Sequence, residues 1–270
     1  MSRRRRIGLA VAVAVGLVAV GVVVAMRPRG ATPVSEQDAL TEFRERSDSK
    51  RDAGAEGDAV DGARPLRPEP GVYRYAASGQ EVVKVGVLPA DERAMPEVVT
   101  AVLVDDGDCF VLTVNFMAQH TEDTTYCTDA SGSVRLEHNV KHQQVGPLTA
   151  EAEMVCEPPV TLSPTGQGRS DLTCRLRMST AAVTLGSTLT GTQTVSPPET
   201  LTIGDRDVEA VSVVVEHVVT GDMSGRTRES LWLDTTNWLP VRIERDMELT
   251  GFATFTERSR LDLQDLTPLR

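Results

Sequence analysis

LWLDTTNWLPVRIERDMEL, residues 231–249, decides how most of this chain is to be read. From Val241 to Leu249 the side chains alternate. Val241, Ile243, Met247 and Leu249 fall on one face, with Arg245 interrupting, while Arg242, Glu244, Asp246 and Glu248 fall on the other. Successive side chains of a strand point to opposite faces, so the pattern predicts a half-buried antiparallel strand with a solvent side. Trp232-Leu233-Asp234 and the turn-prone residues after it supply the other arm of a hairpin, and Pro240 fixes φ where the second strand begins.

Working outward, the pattern beyond Gly71 shifts to period two, and further candidate strands are Val72–Ala76, Glu81–Val87, Val98–Val104, Phe110–Phe116, Ser133–Val145, Leu172–Met178, Val183–Thr194, Val208–Thr220, Thr227–Leu233 and Phe255–Leu263. Turn signals separate many of them: SGQ at Ser78, DASGS at Asp129, IGDRD at Ile203, GDMSG at Gly221 and DTTN at Asp234. Asp91–Val99 is compatible with one short helix. The Ser- and Thr-rich stretch Ser179–Thr202 reads as a pair of edge strands, or else as an exposed, glycosylated segment. The expected fold class is mainly β, a strongly curved antiparallel sheet with one or two short helices over residues 71–270.

Residues 1–70 have a different character. Four arginines, Arg3–Arg6, precede twenty uncharged residues, Ile7–Met26, of which eleven are Val, Leu or Ile. As a helix this run rises roughly 30 Å, a bilayer's hydrocarbon thickness, and its branched aliphatics favour insertion by about 3 to 6 kcal/mol. The arginine excess predicts a cytoplasmic tail at 1–6, a single transmembrane helix at 7–26 and an extracytoplasmic remainder. A cleaved signal peptide is the rival reading, but its apolar core is usually shorter, about 7 to 15 residues. Residues 27–70 are polar and Pro-interrupted and read as a flexible charged linker. Ser35 is placed to cap a short helix there. Within the linker, Ser47–Lys50 fits S-x-x-K, the spacing of serine enzymes acting on penicillins, but no K-T-G follows.

The formal net charge is −11, and residues 1–30 hold six arginines and no acid, leaving −17 beyond them. Such a surface repels phosphate backbones and argues against a nucleic-acid partner. Aromatics are 4% of the chain, so its core must be built mainly from Val, Leu and Met. Four cysteines, Cys109, Cys127, Cys156 and Cys174, lie on the predicted outer side, where an even count reads as two disulfides. Of three connectivities, the even spacing favours 109–127 and 156–174. A hairpin joining the second pair would turn at SPTGQG, and one joining the first would turn near Ala118. Zinc is disfavoured because no close C-x-x-C pair occurs.

Chemistry has little purchase. His138 and His142 would share a face on a helix, but in a strand they stand roughly 13 Å apart and cannot share an ion. His120 falls in an expected loop and His217 in a strand. No G-x-S-x-G, H-E-x-x-H, phosphate loop or EF-hand loop occurs, so neither catalysis nor a cofactor is indicated.

The hairpin W-x-D, several turn residues, then L-P-V-R-I, within Leu231–Glu244, resembles that of the lipoprotein-carrier superfamily, extracytoplasmic proteins that include lipoprotein chaperones, lipid-binding lipoproteins and an envelope-stress sensor. The resemblance implies a half-barrel whose concave apolar face accepts acyl chains, with Trp238, Val241 and Ile243 among the lining residues. Two functions follow as expectations: a membrane-anchored module binding a lipid or other lipophile, or a non-enzymatic docking subunit of an envelope complex with no small ligand.

Overall fold

The computed structural model describes residues 30–52, 67–87, 89–145, 148–163 and 167–270. The expected membrane span at 7–26 lies outside them, and no helix among the described residues is long and apolar enough to cross a membrane.

Among the described residues one α-helix, α1 (Glu36–Asp52), precedes fifteen strands. These are β1 (Gly71–Val85), β2 (Asp91–Ala94), β3 (Val98–Asp106), β4 (Cys109–Met117), β5 (His120–Thr128), β6 (Val134–Val145), β7 (Leu148–Cys156) and β8 (Val160–Leu162). They are followed by β9 (Gly168–Thr180), β10 (Thr184–Val195), β11 (Glu199–Ile203), β12 (Arg206–Gly221), β13 (Ser224–Asp234), β14 (Pro240–Thr250) and β15 (Ala253–Leu263). All pair antiparallel, in the order β10-β9-β7-β6-β5-β4-β3-β1-β15-β14-β13-β12, and β12 bonds back to β10.

The expected half-barrel is therefore a closed barrel. Closure rests on the length of β12. Residues 206–210 hold β11, and residues 213–221 remain free on the same edge to take β10 through nine register pairs, Ser187↔Gly221 to Val195↔Val213. The Ser- and Thr-rich stretch thus forms the seam, where closure removes two edges that would otherwise present unpaired amides. Only β11 is left as the edge strand expected there.

One expected turn and the expected short helix are strands instead. Ser78-Gly79-Gln80 lies within continuous β1, because Gly79 (φ +117°) lets the strand fold against β15. A Cβ at this glycine would sit 2.0 Å from the Arg258 carbonyl oxygen. Asp91–Val99 forms β2 and the start of β3 rather than a helix, since Asp91–Ala94 pairs with Val83–Gln80 of β1.

The part of the linker at residues 36–52 is a docked helix. Ser35 Oγ accepts the Asp38 amide (3.1 Å) and caps it. Ala39, Leu40 and Phe43 pack on Val72, Val102, Val104, Val111 and Leu269. Spacings of three and four residues bring that small apolar stripe to one face. Lys50 of the S-x-x-K match pairs with Asp106 at 2.7 Å, a surface contact. The docking explains why β3 and β4 read as nearly continuous apolar runs. One face meets the barrel interior and the other meets α1, so both are covered.

Both disulfides take the sequential pairing, Cys109–Cys127 and Cys156–Cys174. The first crosses a hairpin that turns at Ala118, as the spacing indicated. The second joins β7 to β9, but not across a simple hairpin. The intervening chain leaves to lay β8 on β6, where β6 has run past the end of β7.

Candidate functional site

The barrel interior is filled in three unequal layers, and the inward positions of each strand decide which. An eight-stranded barrel is just wide enough for side chains to fill, so a ring of twelve strands needs bulk this sequence scarcely has. The available bulk gathers at one end. Tyr73, Tyr75, Phe110, Tyr126, Leu239 and Trp238 pack there as one buried cluster. The Tyr75 hydroxyl donates to the Pro240 carbonyl (2.7 Å), and Trp238 Nε1 donates to the Gly132 carbonyl (3.0 Å). Trp238 takes φ 65°, a conformation uncommon for a bulky residue, held because its amide and ring are both fixed inside the hairpin turn.

This end also holds Val241 and Ile243, which with Trp238 were expected to line a ligand groove. All three are at most 2% exposed and fully packed, so they plug the barrel rather than line its cavity. Val241 and Ile243 share the inward face of β14 with the lining residues Met247 and Leu249, while Trp238 lies in the turn before it.

Midway along the interior lies a layer of buried charge. Arg245, the apparent interruption on β14, points inward with its neighbours. It bonds Glu122 of β5 twice across the barrel (2.7 and 2.8 Å), lies 3.0 Å from Glu229, and sits 4.7 Å over the Phe116 ring. Glu81 and Glu257 face each other directly across β1 and β15, a repulsive pairing relieved by cations from other strands. Arg93 bonds Glu81 (2.9 Å) and Asp91, while Lys141 Nζ is 3.2 Å from Glu257 and 3.9 Å over the Phe255 ring. His120 opens β5 rather than lying in a loop. It is fully buried, with Nδ1 2.8 Å from Glu81 Oε2.

Burial, aided by the Lys141 charge, lowers the His120 pKa, so the neutral ring donates through Nδ1 to Glu81. Burial by itself would raise Glu81 and Glu257. His120 and the nearby cations more than offset it for Glu81, and Lys141 leads for Glu257, holding both carboxyls at about 2. Glu122 is likewise held low, because the Arg245 guanidinium outweighs the desolvation. Glu229 goes the other way: burial raises it, and Arg245 compensates only in part.

Beyond the charged layer the interior opens into a cavity of about 240 Å3. Its wall is built from Ala150, Ala152 and Met154 of β7, Leu176 and Met178 of β9, and Val213 and Val215 of β12. Leu148 and Phe252, at the tips of two hairpins, line it and are 42% and 52% exposed, so it reaches solvent there. Glu122, Asn139, Lys141, Gln143 and Glu229 form its floor. Met154, Leu176 and Met178 point inward yet remain only partly buried, which is the mark of an unfilled interior.

The surfaces outside offer less. His138 and His142 pair separately with Glu153 (2.7 Å) and Glu151 (3.6 Å), and no group of three or more metal-ligating residues occurs among the described residues. His217 is a buried inward residue whose Nε2 lies 3.7 Å from Cys174 Sγ. The outward side chains of β14 and β15, including Arg242, Glu244, Arg258 and Arg260, are charged and paired, unlike the apolar band of a membrane barrel.

No protein-family model, curated protein or solved structure matches the chain.

Proposed function

We propose that this chain is a membrane-anchored extracytoplasmic module that holds one small or single-chain lipophile inside its barrel. The observation that carries the reading is the apolar cavity beneath Leu148 and Phe252, walled by Ala, Val, Leu and Met and floored by a few polar groups. Concave sites of this make-up favour ligands whose apolar surface leaves water on binding, at roughly 25 cal/mol per Å2. At about 240 Å3 the space lies just below the roughly 300–1,000 Å3 usual for ligand pockets, which favours a small or single-chain occupant.

The anchor is the apolar run at 7–26, and an oxidising compartment agrees with the two cystines. Kinship with the lipoprotein-carrier superfamily belongs to the same reading. What would carry over is the use of a concave apolar sheet face, here in a closed barrel instead of a half-barrel.

The test is mass spectrometry of organic extracts from the full chain purified out of its membrane. The expected result is a lipophile near one per chain, lost in Ala152→Phe, which fills the wall with a ring. Wild-type protein that yields none, and takes up none when offered decanol, refutes the reading. A second reading, docking to an envelope protein, is favoured by the exposed apolar residues Val87, Leu148 and Phe252 at loop and hairpin tips. A partner crosslinked at these tips, with an empty cavity, would establish it instead.

A further inference from the structure

The cavity floor differs from that of a site meant for an acid. The buried layer holds five carboxylates, Glu81, Asp91, Glu122, Glu229 and Glu257, against three permanent cations, Arg93, Lys141 and Arg245. Each cation is already engaged by at least one of those carboxylates. A ligand carboxylate or phosphate would add negative charge to a desolvated layer that has it in excess.

Two floor groups have acceptor capacity to spare. Gln143 is 9% exposed and its Nε2 donates to Glu81 (3.0 Å), which fixes the amide and leaves Oε1 without a hydrogen-bonding partner among the described residues. Glu229 borders the cavity with its side chain 27% exposed. It lies 3.0 Å from Arg245 Nε, and its carboxylate accepts no hydrogen bond among the described residues, Arg245 Nε being itself unsatisfied. An unpaired buried acceptor such as Gln143 Oε1 is costly and asks for a donor, and the Glu229 carboxylate beside it on the cavity floor is open to accept one too.

We propose that the cavity takes a single-chain amphiphile with a protonated amine, which enters head first and gives its N–H donors to Glu229 and Gln143 while the chain lies along the apolar wall. This rests on the reading of the barrel as a lipophile site and adds the class of head group. The ammonium supplies the positive charge the layer lacks and donors for both free acceptors. A hydroxyl supplies one donor and no charge; a carboxylate supplies neither.

The ligand-free site has its own way of relieving the excess. Glu229 faces Arg245 from β14, Glu122 and Tyr126 from β5, Glu257 from β15, Lys141 from β6 and His217 from β12. Burial first, then the neighbouring carboxylates, raise its pKa against the pull of Arg245, so it gives up its proton less readily than a free carboxyl. An arriving ammonium favours the charged carboxylate and displaces that proton. Over the pH range in which Glu229 titrates, binding therefore releases a proton from the protein, since an alkylamine stays charged throughout.

The experiment is calorimetry of the full chain in lipid nanodiscs, with empty nanodiscs as baseline and decylamine, decanol and decanoate as probes. The expected order is decylamine at least about ten-fold tighter than decanol, with decanoate weakest. Glu229→Gln should bring decylamine to within about two-fold of decanol measured on the same variant. Repeating the wild-type titration across the weakly acid range in buffers of different ionisation heat should count protons released with decylamine and none with decanol. This readout needs no variant to fold. Decanoate equal to or tighter than decylamine overturns the inference, as does decylamine binding without proton release. If decanol binds and decylamine shows no advantage, the head-group assignment falls while the lipophile site stands. If none of the three binds, the site itself falls.

Discussion

Arg245→Met tests the buried layer most directly. The guanidinium makes two bonds to Glu122 and lies against Glu229, and both it and Glu122 are buried. Methionine keeps the aliphatic bulk over Phe116 but leaves two interior carboxylates without their cation. Removing one partner of a buried pair costs about 3–5 kcal/mol. The loss has a ceiling, because a stranded carboxyl can take up a proton. At pH 7, with an unfolded value near 4.5, that escape costs about 3.4 kcal/mol per group. At pH 5 the same step costs only about 0.7 kcal/mol.

Glu229, already raised in the wild type, adds little new loss, so Glu122 dominates. The expected gap between wild type and variant is about 3–4 kcal/mol at pH 7, shrinking toward pH 5. The sign follows from proton counting. The folded variant binds a proton its unfolded state has shed, so its stability falls as pH rises, by about 1.4 kcal/mol per unit. Wild-type Glu122, held low, imposes no such loss. Urea denaturation at pH 5, 6 and 7, followed by tryptophan fluorescence, measures the gap. A gap below about 1 kcal/mol at pH 7, or one no smaller at pH 5, refutes the account of Arg245 as the cation that keeps Glu122 charged.

Glu81 and Glu257, held at about 2 in the folded state against 4.5, contribute stability that is present above pH 4.5 and lost as pH falls toward 2. Each accounts for at most roughly 3 kcal/mol, so acid titration by circular dichroism should find unfolding in that window, shifted to lower pH in neither Glu81→Gln nor Glu257→Gln. Trp238→Ala should cost about 3–5 kcal/mol by emptying the packed end. Trp238→Phe, which keeps a ring but drops the bond to Gly132, should cost less than the alanine variant; equal losses would mean the indole is not the plug. Opening either cystine, each closing a separation of 18 residues, should cost about 3 kcal/mol in reversible unfolding, and no change in midpoint on complete reduction would contradict that.

Much of the sheet was legible because a strand writes its two faces into a period of two. Arg245, read as an interruption of the apolar face of Val241–Leu249, keeps that alternation and points inward, because the barrel carries charge on its inner face. The apolar runs at Val98–Val104 and Phe110–Phe116 carried a signal for a second covering layer, which α1 supplies. Ser78-Gly79-Gln80 misled because a glycine that turns a chain and one that bends a strand around a barrel look alike in one dimension. His120 and Glu81 could not be joined from sequence, as their pairing spans 39 residues and depends on which strands become neighbours.

The sequence by itself determined the antiparallel β character, the favoured pairing of the two cystines and the inward face of an alternating strand such as Val241–Leu249, because these follow from local periodicity and the spacing of a few residues. Tertiary structure alone decided that β10 meets β12, that the interior is packed at one end and open at the other, and that five carboxylates share one layer with three cations. Those outcomes depend on register and closure around the whole ring. A shift of one residue turns a side chain from core to solvent, and no single segment records which strand will stand opposite it.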